Sequence, residues 1–275
     1  SDLMKSKIDD ICDELLKWYD GEDARQKVES IQAFQTFFKN NSENMGKYVP
    51  YISKNICNNC CSDYHQKMLD EIHENNETCI IDDSDKIKSE CFNFASNIIS
   101  NELNLLAIII KKFPNLFLTR RTIIVIFECI KKGYENILNQ VIIGSNRLFS
   151  SILKILKKNN ISGSVCTGFM KVIINIIRES TDVDLITSGI KAIYSSLRYM
   201  KNNVINLYGA DIFRLCLNII DQINVRSKSY KTEPLYLKIL NLMCFILRNT
   251  QSLSTFITTF ISDIFELYNN EKQPI

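Results

Sequence analysis

The stretch Cys57-Asn-Asn-Cys60-Cys61-Ser-Asp-Tyr-His65 holds three of the chain's ten cysteines and one of its two histidines, and His73 and Cys79 follow soon after. Thiolates and imidazoles are the ligands of structural zinc, which takes four of them in a tetrahedron. Cys57 and Cys60 make a Cys-x-x-Cys half-site. A second half would come from Cys61 with His65, or from His73 with Cys79. In one continuous helix, Cys57 and His65 stand about 12 Å apart along the axis, too far for a single ion. The zinc alternative on Cys57, Cys60, Cys61 and His65 therefore needs a helix break near 61–63. No second Cys-x-x-Cys and no His-x3–5-His pair is present. The reading adopted is packed thiols with no metal.

Other site chemistries find less support. A catalytic cysteine needs a cleft and an orienting third group, and the sequence indicates neither. The eight glycines are scattered. The densest small-residue stretch, Ser162–Gly168, lacks the Lys-Ser/Thr ending and the preceding strand of a phosphate-binding loop. It reads as a helix start. No serine elbow, His-Glu-x-x-His motif or paired-carboxylate site occurs, so no catalytic residue, no cofactor and no enzymatic activity are expected.

Charge is the second feature of note. The net charge is only +2, yet residues 111–158 carry ten basic and two acidic side chains, against 11 basic and 20 acidic over 1–110. The basic residues come largely in pairs: Lys111-Lys112, Arg120-Arg121, Lys131-Lys132 and Lys157-Lys158, with Arg147 and Lys154 between them. Cations at helix C-termini are favoured by the helix dipole, which accounts for several pairs one by one. It does not account for the scarcity of acids across the segment. Such a patch suits an acidic protein segment or a nucleic-acid backbone.

These residues must be positioned by helices. Apolar side chains recur at three and four along most of the chain, as in Ile8, Ile11, Cys12, Leu15, Leu16 and Tyr19. With only eight glycines and four prolines in 275 residues, the tight turns of a sheet are short of material. Helices are expected over 3–19, about 28–38, 46–60 with Pro50 in the first turn, and from a Ser62 or Asp63 cap onward. A polar, acidic stretch, 76–87, reads as an exposed loop. Beyond it helices are placed near 88–100, 102–112, 119–132, 134–143, 146–158, 163–179, 183–200, 204–223, 234–248 and 253–269. The longest apolar run, Leu105–Ile110, is far below the ~20 residues of a membrane span. The first residues lack the pattern of a signal peptide. Cys12, Cys91, Cys129, Cys166, Cys216 and Cys244 sit singly in helical segments, as free cysteines packed like small hydrophobes do. A soluble protein of the cytoplasm or nucleus is expected.

Internal similarity links the helices. Leu197-Arg198 aligns with Leu247-Arg248, and Asp211-Ile212-Phe213 with Asp263-Ile264-Phe265; Gly144 and Phe149 fall near the places of Gly209 and Phe213. Asn202-Asn203 and Asn249 stand at joints between helices. In this spacing the chain resembles the armadillo and HEAT families of α-solenoids, over roughly 88–269 and more loosely over 1–75. The resemblance implies an all-α irregular solenoid, a single helical-repeat domain over 1–275, acting as a protein-binding scaffold or adaptor that presents a groove to a peptide or helix. The partner contact is expected at Lys111, Lys112, Arg120, Arg121, Lys131, Lys132, Arg147, Lys154, Lys157 and Lys158. An RNA- or DNA-binding role for the same segment is the alternative.

Overall fold

Amphipathic spacing becomes helix almost everywhere. The computed structural model describes residues 2–40, 42–61, 84–136, 138–156, 163–199, 202–226, 233–250 and 261–262. In chain order the helices are α1 (Asp2–Asp20), α2 (Ala24–Asn40), the short α3 (Ser42–Met45), α4 (Val49–Cys61), α5 (Ser84–Lys112), α6 (Arg120–Tyr134), α7 (Asn139–Leu156), α8 (Gly163–Glu179), α9 (Val183–Tyr199), α10 (Asn202–Arg226) and α11 (Glu233–Asn249), with 3-10 turns at Gly46–Tyr48 and Pro114–Phe117. No strand occurs among the described residues. The chain is all-α, as the composition and periodicity imply. No helix among the described residues is long and apolar enough to cross a membrane.

Local chemistry fixes several starts. Asp23 accepts from the backbone N–H groups of Arg25 and Gln26 at 2.8 and 3.2 Å and caps α2. Thr119 accepts from Thr122 N–H ahead of α6. Asp182 accepts from Asp184 and Leu185 N–H ahead of α9. Each side chain satisfies first-turn donors that would otherwise have no partner.

Two expected joints are absent. The helices placed at 88–100 and 102–112 are one helix, α5, and those at 134–143 and 146–158 give way to α7. Small polar residues beside the two expected joints are interior contacts. Ser100, Ser145 and Asn146 are all buried. Ser100 Oγ donates to the Gln140 carbonyl at 3.0 Å, and Ser145 Oγ to the Val141 carbonyl one turn back. Residues 84–87, expected in the acidic loop, open α5; 76–83 lie outside the described residues, as do the expected helices from Ser62 and, apart from 261–262, at 253–269.

The chain divides into two compact units, 1–161 and 162–275. In the first, α5 is central, packing on α2, α4 and α7. It runs parallel to α7, as three pairs in register show: Ser100 with Gln140, Leu103 with Gly144, and Asn104 with Arg147. Leu103 is the knob at this junction. A Cβ at Gly144 would meet Leu103 Cβ at 3.1 Å and the Ser100 carbonyl at 3.3 Å, and one at Gly133 of α6 would strike the Ser145 side chain. In the second unit, α8 pairs with α9 and α10 with α11 as hairpins. Ile173 and Ile177 lie against Gly189, and Ile246 and Thr250 against Gly209. The hairpins also meet each other: α9 packs on α11, where Tyr194 and Phe245 stack edge-on with centroids 5.3 Å apart, and α8 packs on α10.

The Leu103 junction sets a graded expectation. An alanine at Gly144 gains about 1 kcal/mol of helix propensity, which offsets a mild clash and leaves stability near the wild-type value. Gly144→Leu forces α5 and α7 apart and costs about 2–3 kcal/mol. Urea unfolding of both variants measures this, and equal stabilities would show that the helices do not depend on close approach here.

Candidate functional site

The basic segment is divided by the fold. Lys111 and Lys112 end α5, Arg120 and Arg121 open α6, and only the Pro114–Phe117 turn separates them. The α5–α7 register, 40 residues at Ser100 and 43 at Asn104, carries Lys154 to the same level. Lys112 Nζ donates to the carbonyl of Lys39 at 2.9 Å, which brings the end of α2 into the group. Lys131 and Lys132 lie about 16 Å down α6, 3.9 and 4.0 Å from Glu135 carboxylate oxygens. Arg147 sits midway along α7 and donates to Asn104 Oδ1 at 2.9 Å. Lys157 and Lys158 lie outside the described residues. One end of the unit thus gathers Lys111, Lys112, Arg120, Arg121 and Lys154, all exposed.

The same end displays apolar side chains that the charge pattern did not announce. Phe117 is buried and anchors the turn, while Leu116 is 51% exposed, Leu118 38% and Ile124 52%. Ile124 is one helical turn from Arg120, so both project on one face of α6. Among the described residues, no carboxylate lies within ion-pair distance of Lys112, Arg120, Arg121 or Lys154. An apolar centre edged by cations results, resembling the centre and rim of a protein interface.

A second constellation is internal. Glu102 of α5 is fully buried. Its Oε1 accepts from Tyr19 Oη of α1 at 3.0 Å and from Asn59 Nδ2 of α4 at 2.8 Å. Lys27 of α2, itself buried, places its ammonium 5.3 Å from the Tyr19 ring centroid. Loss of water pushes the Glu102 carboxyl up to about 7, against the opposing pull of the Asn59 hydrogen bond, the Lys27 charge and the Tyr19 hydrogen bond. Burial, with Glu102 beside it, also drives the Tyr19 hydroxyl well up. Glu102, Asn59 and Lys27 do not stand out as site candidates in the sequence. The available signal is spacing, since Glu102 occupies the same helical face as Ile98, Leu105 and Ile109, all buried.

The thiols adjoin this network. Cys57, Cys60 and Cys61 follow one another at helical spacing on α4 and face Cys129 of α6. Cys61 Sγ is 3.5 Å from Cys129 Sγ, and Cys129 Sγ is 3.9 Å from the Cys57 carbonyl. Cys129, expected to be an isolated core residue, is therefore the fourth member of the group. The Cys129 hydrogen bond and burial raise the Cys57 thiol; burial raises Cys60 and Cys61 against the pull of their hydrogen bonds to Cys129; and Cys129, lowered by Cys57, is raised on balance by Cys60 and burial. No three His, Cys, Asp or Glu side chains among the described residues are arranged to hold a metal ion. His65, His73 and Cys79 lie outside the described residues. Comparison with protein-family models, curated proteins and solved structures gives no match.

The buried carboxyl makes stability depend on pH. Its folded value, about 7, exceeds its value of 4.5 in water. The native state therefore holds the proton more tightly, and this group's contribution falls as pH rises from about 4.5 to 7, by on the order of 3 kcal/mol. Glu102→Gln keeps an acceptor for Tyr19 and Asn59 and has no charge to bury. It should match the wild type near pH 5, exceed it at pH 8 and flatten the slope between. Urea titrations at the two pH values test this; an unchanged slope would mean that Glu102 is ionised in the fold throughout.

Proposed function

We propose that the chain is a non-enzymatic, protein-binding helical-repeat scaffold of armadillo or HEAT type, and that it binds an acidic, leucine- or aromatic-bearing segment of a partner protein at the α5–α6 end of the first unit. The observation that carries this reading is the exposed Leu116, Leu118 and Ile124 among Lys111, Lys112, Arg120, Arg121 and Lys154. A nucleic-acid backbone would use the cations and leave three aliphatic side chains in water. An amphipathic acidic segment uses both, with the apolar contacts supplying affinity and the charges supplying rate and orientation. The repeat reading draws support from the second unit, where α9 packs on α11 and α8 on α10. Leu197-Arg198 and Leu247-Arg248, the pairs that align in sequence, close α9 and α11 respectively.

Titration of the full chain with a labelled peptide alternating Asp or Glu with Leu and Phe is the direct test. Binding should weaken about tenfold or more in Arg120→Glu/Arg121→Glu and a further several-fold in Leu118→Ser. An all-acidic peptide without Leu and Phe should bind far more weakly. Single-stranded RNA or DNA binding more tightly than either peptide, with steep salt dependence, would replace this reading by the nucleic-acid one.

A further inference from the structure

Cys57, Cys60 and Cys61 of α4 and Cys129 of α6 form a four-thiol group. Its geometry supports a chemistry other than metal binding, because the members differ in accessibility and in the constraint each bears. Cys61 is exposed at the end of α4; Cys129 is buried on α6. Their sulfurs are 3.5 Å apart and belong to different helices. Cys57, Cys60 and Cys61 share one helix, where residues three or four apart keep their Cβ atoms about 5–6 Å from each other. A disulfide needs about 3.5–4.5 Å between Cβ atoms, so pairing within α4 requires the helix to deform. Cys61 and Cys129 stand on different helices with their sulfurs already 3.5 Å apart, so that fixed spacing does not constrain their pairing.

We propose that Cys61 and Cys129 form a thiol–disulfide exchange site, in which an exposed attacking thiol and a buried resolving thiol are converted to an internal disulfide by a small-molecule disulfide of the glutathione class. The Cys61 thiolate, having given its proton to solvent, attacks one sulfur of the oxidant. A mixed disulfide forms and one thiolate leaves. Cys129 then loses its proton and attacks Cys61 Sγ, expelling the second thiolate. The protein loses two protons and two electrons, and the oxidant becomes two thiols. The product joins α4 to α6 between residues 68 apart in sequence.

Charges near the pair modulate the first step. Burial disfavours the Cys61 thiolate most, joined by Cys57 and Glu128, while the Cys129 hydrogen bond and Lys132 favour it, and the thiol is raised on balance. Exchange is therefore slow at neutral pH and accelerates as pH rises toward the thiol's own range.

The full native chain, incubated with glutathione disulfide, quenched with an alkylating agent and digested, supplies the test. The expected product is a Cys61–Cys129 linked peptide about 2 Da lighter than the two free peptides, no glutathione retained on Cys61 or Cys129, and a rate rising several-fold per pH unit. A higher melting temperature for the oxidised chain should accompany it. Cys61→Ser, a change at an exposed helix end, should abolish the link while leaving the circular dichroism spectrum unchanged. A glutathione adduct that persists on Cys61, linkage within 57–61 or of Cys129 to Cys57 or Cys60 instead, crosslinking only after addition of denaturant, or an undiminished rate in Cys61→Ser would each overturn the proposal.

Discussion

A carboxylate removed wholly from water is the condition around which the first unit is arranged. Glu102 sits on the buried face of its longest described helix, α5 (29 residues). An isolated ionised carboxylate there would cost more than most single contacts return. Tyr19 and Asn59 supply the donors and Lys27 the countercharge, from three other helices. Aliphatic packing holds α5 against its neighbours, but a polar group can be satisfied in only one register. The network therefore selects a particular seating of α1, α2 and α4 on α5.

The close approach of α5, α6 and α7 complements this. Leu103 follows Glu102 directly and faces Gly133 and Gly144, while Glu102 faces Tyr19 and Asn59. Adjacent residues of one helix thus address two different sides of the unit, one by hydrogen bonds and one by shape. The thiol group lies along the α4–α6 contact, and the cationic end lies where α5 gives way to α6.

Helix identity was legible in the sequence because period and capping agree locally. Asp23, Thr119 and Asp182 stand five, four and one residues ahead of Val28, Ile123 and Val183, where the apolar periods begin, and each caps a helix. What misled was polarity without context. Ser100, Ser145 and Asn146 lie at or beside the two expected joints, yet small polar side chains can bond their own helix and let a neighbour come close. The basic pairs were visible as residues, but their grouping was not: the antiparallel run of α6 separates Arg120-Arg121 from Lys131-Lys132, while the parallel register of α5 and α7 brings in Lys154. Glu102 and Cys129 were hidden for a similar reason. Each occupies an apolar-face position, and only tertiary pairing reveals that one meets a tyrosine and the other a row of thiols.

The sequence distances in the network bear on how the two units are built in time. Tyr19 and Glu102 are 83 residues apart, and Gln35 and Asn101 are 66 apart. Closing such loops delays the reward of the contacts they make. The second unit is made of hairpins whose partner helices are consecutive, so most of its pairing is local. Topology of that kind favours early, rapid formation. By the same measure, the unit with the buried carboxylate is the slower to assemble.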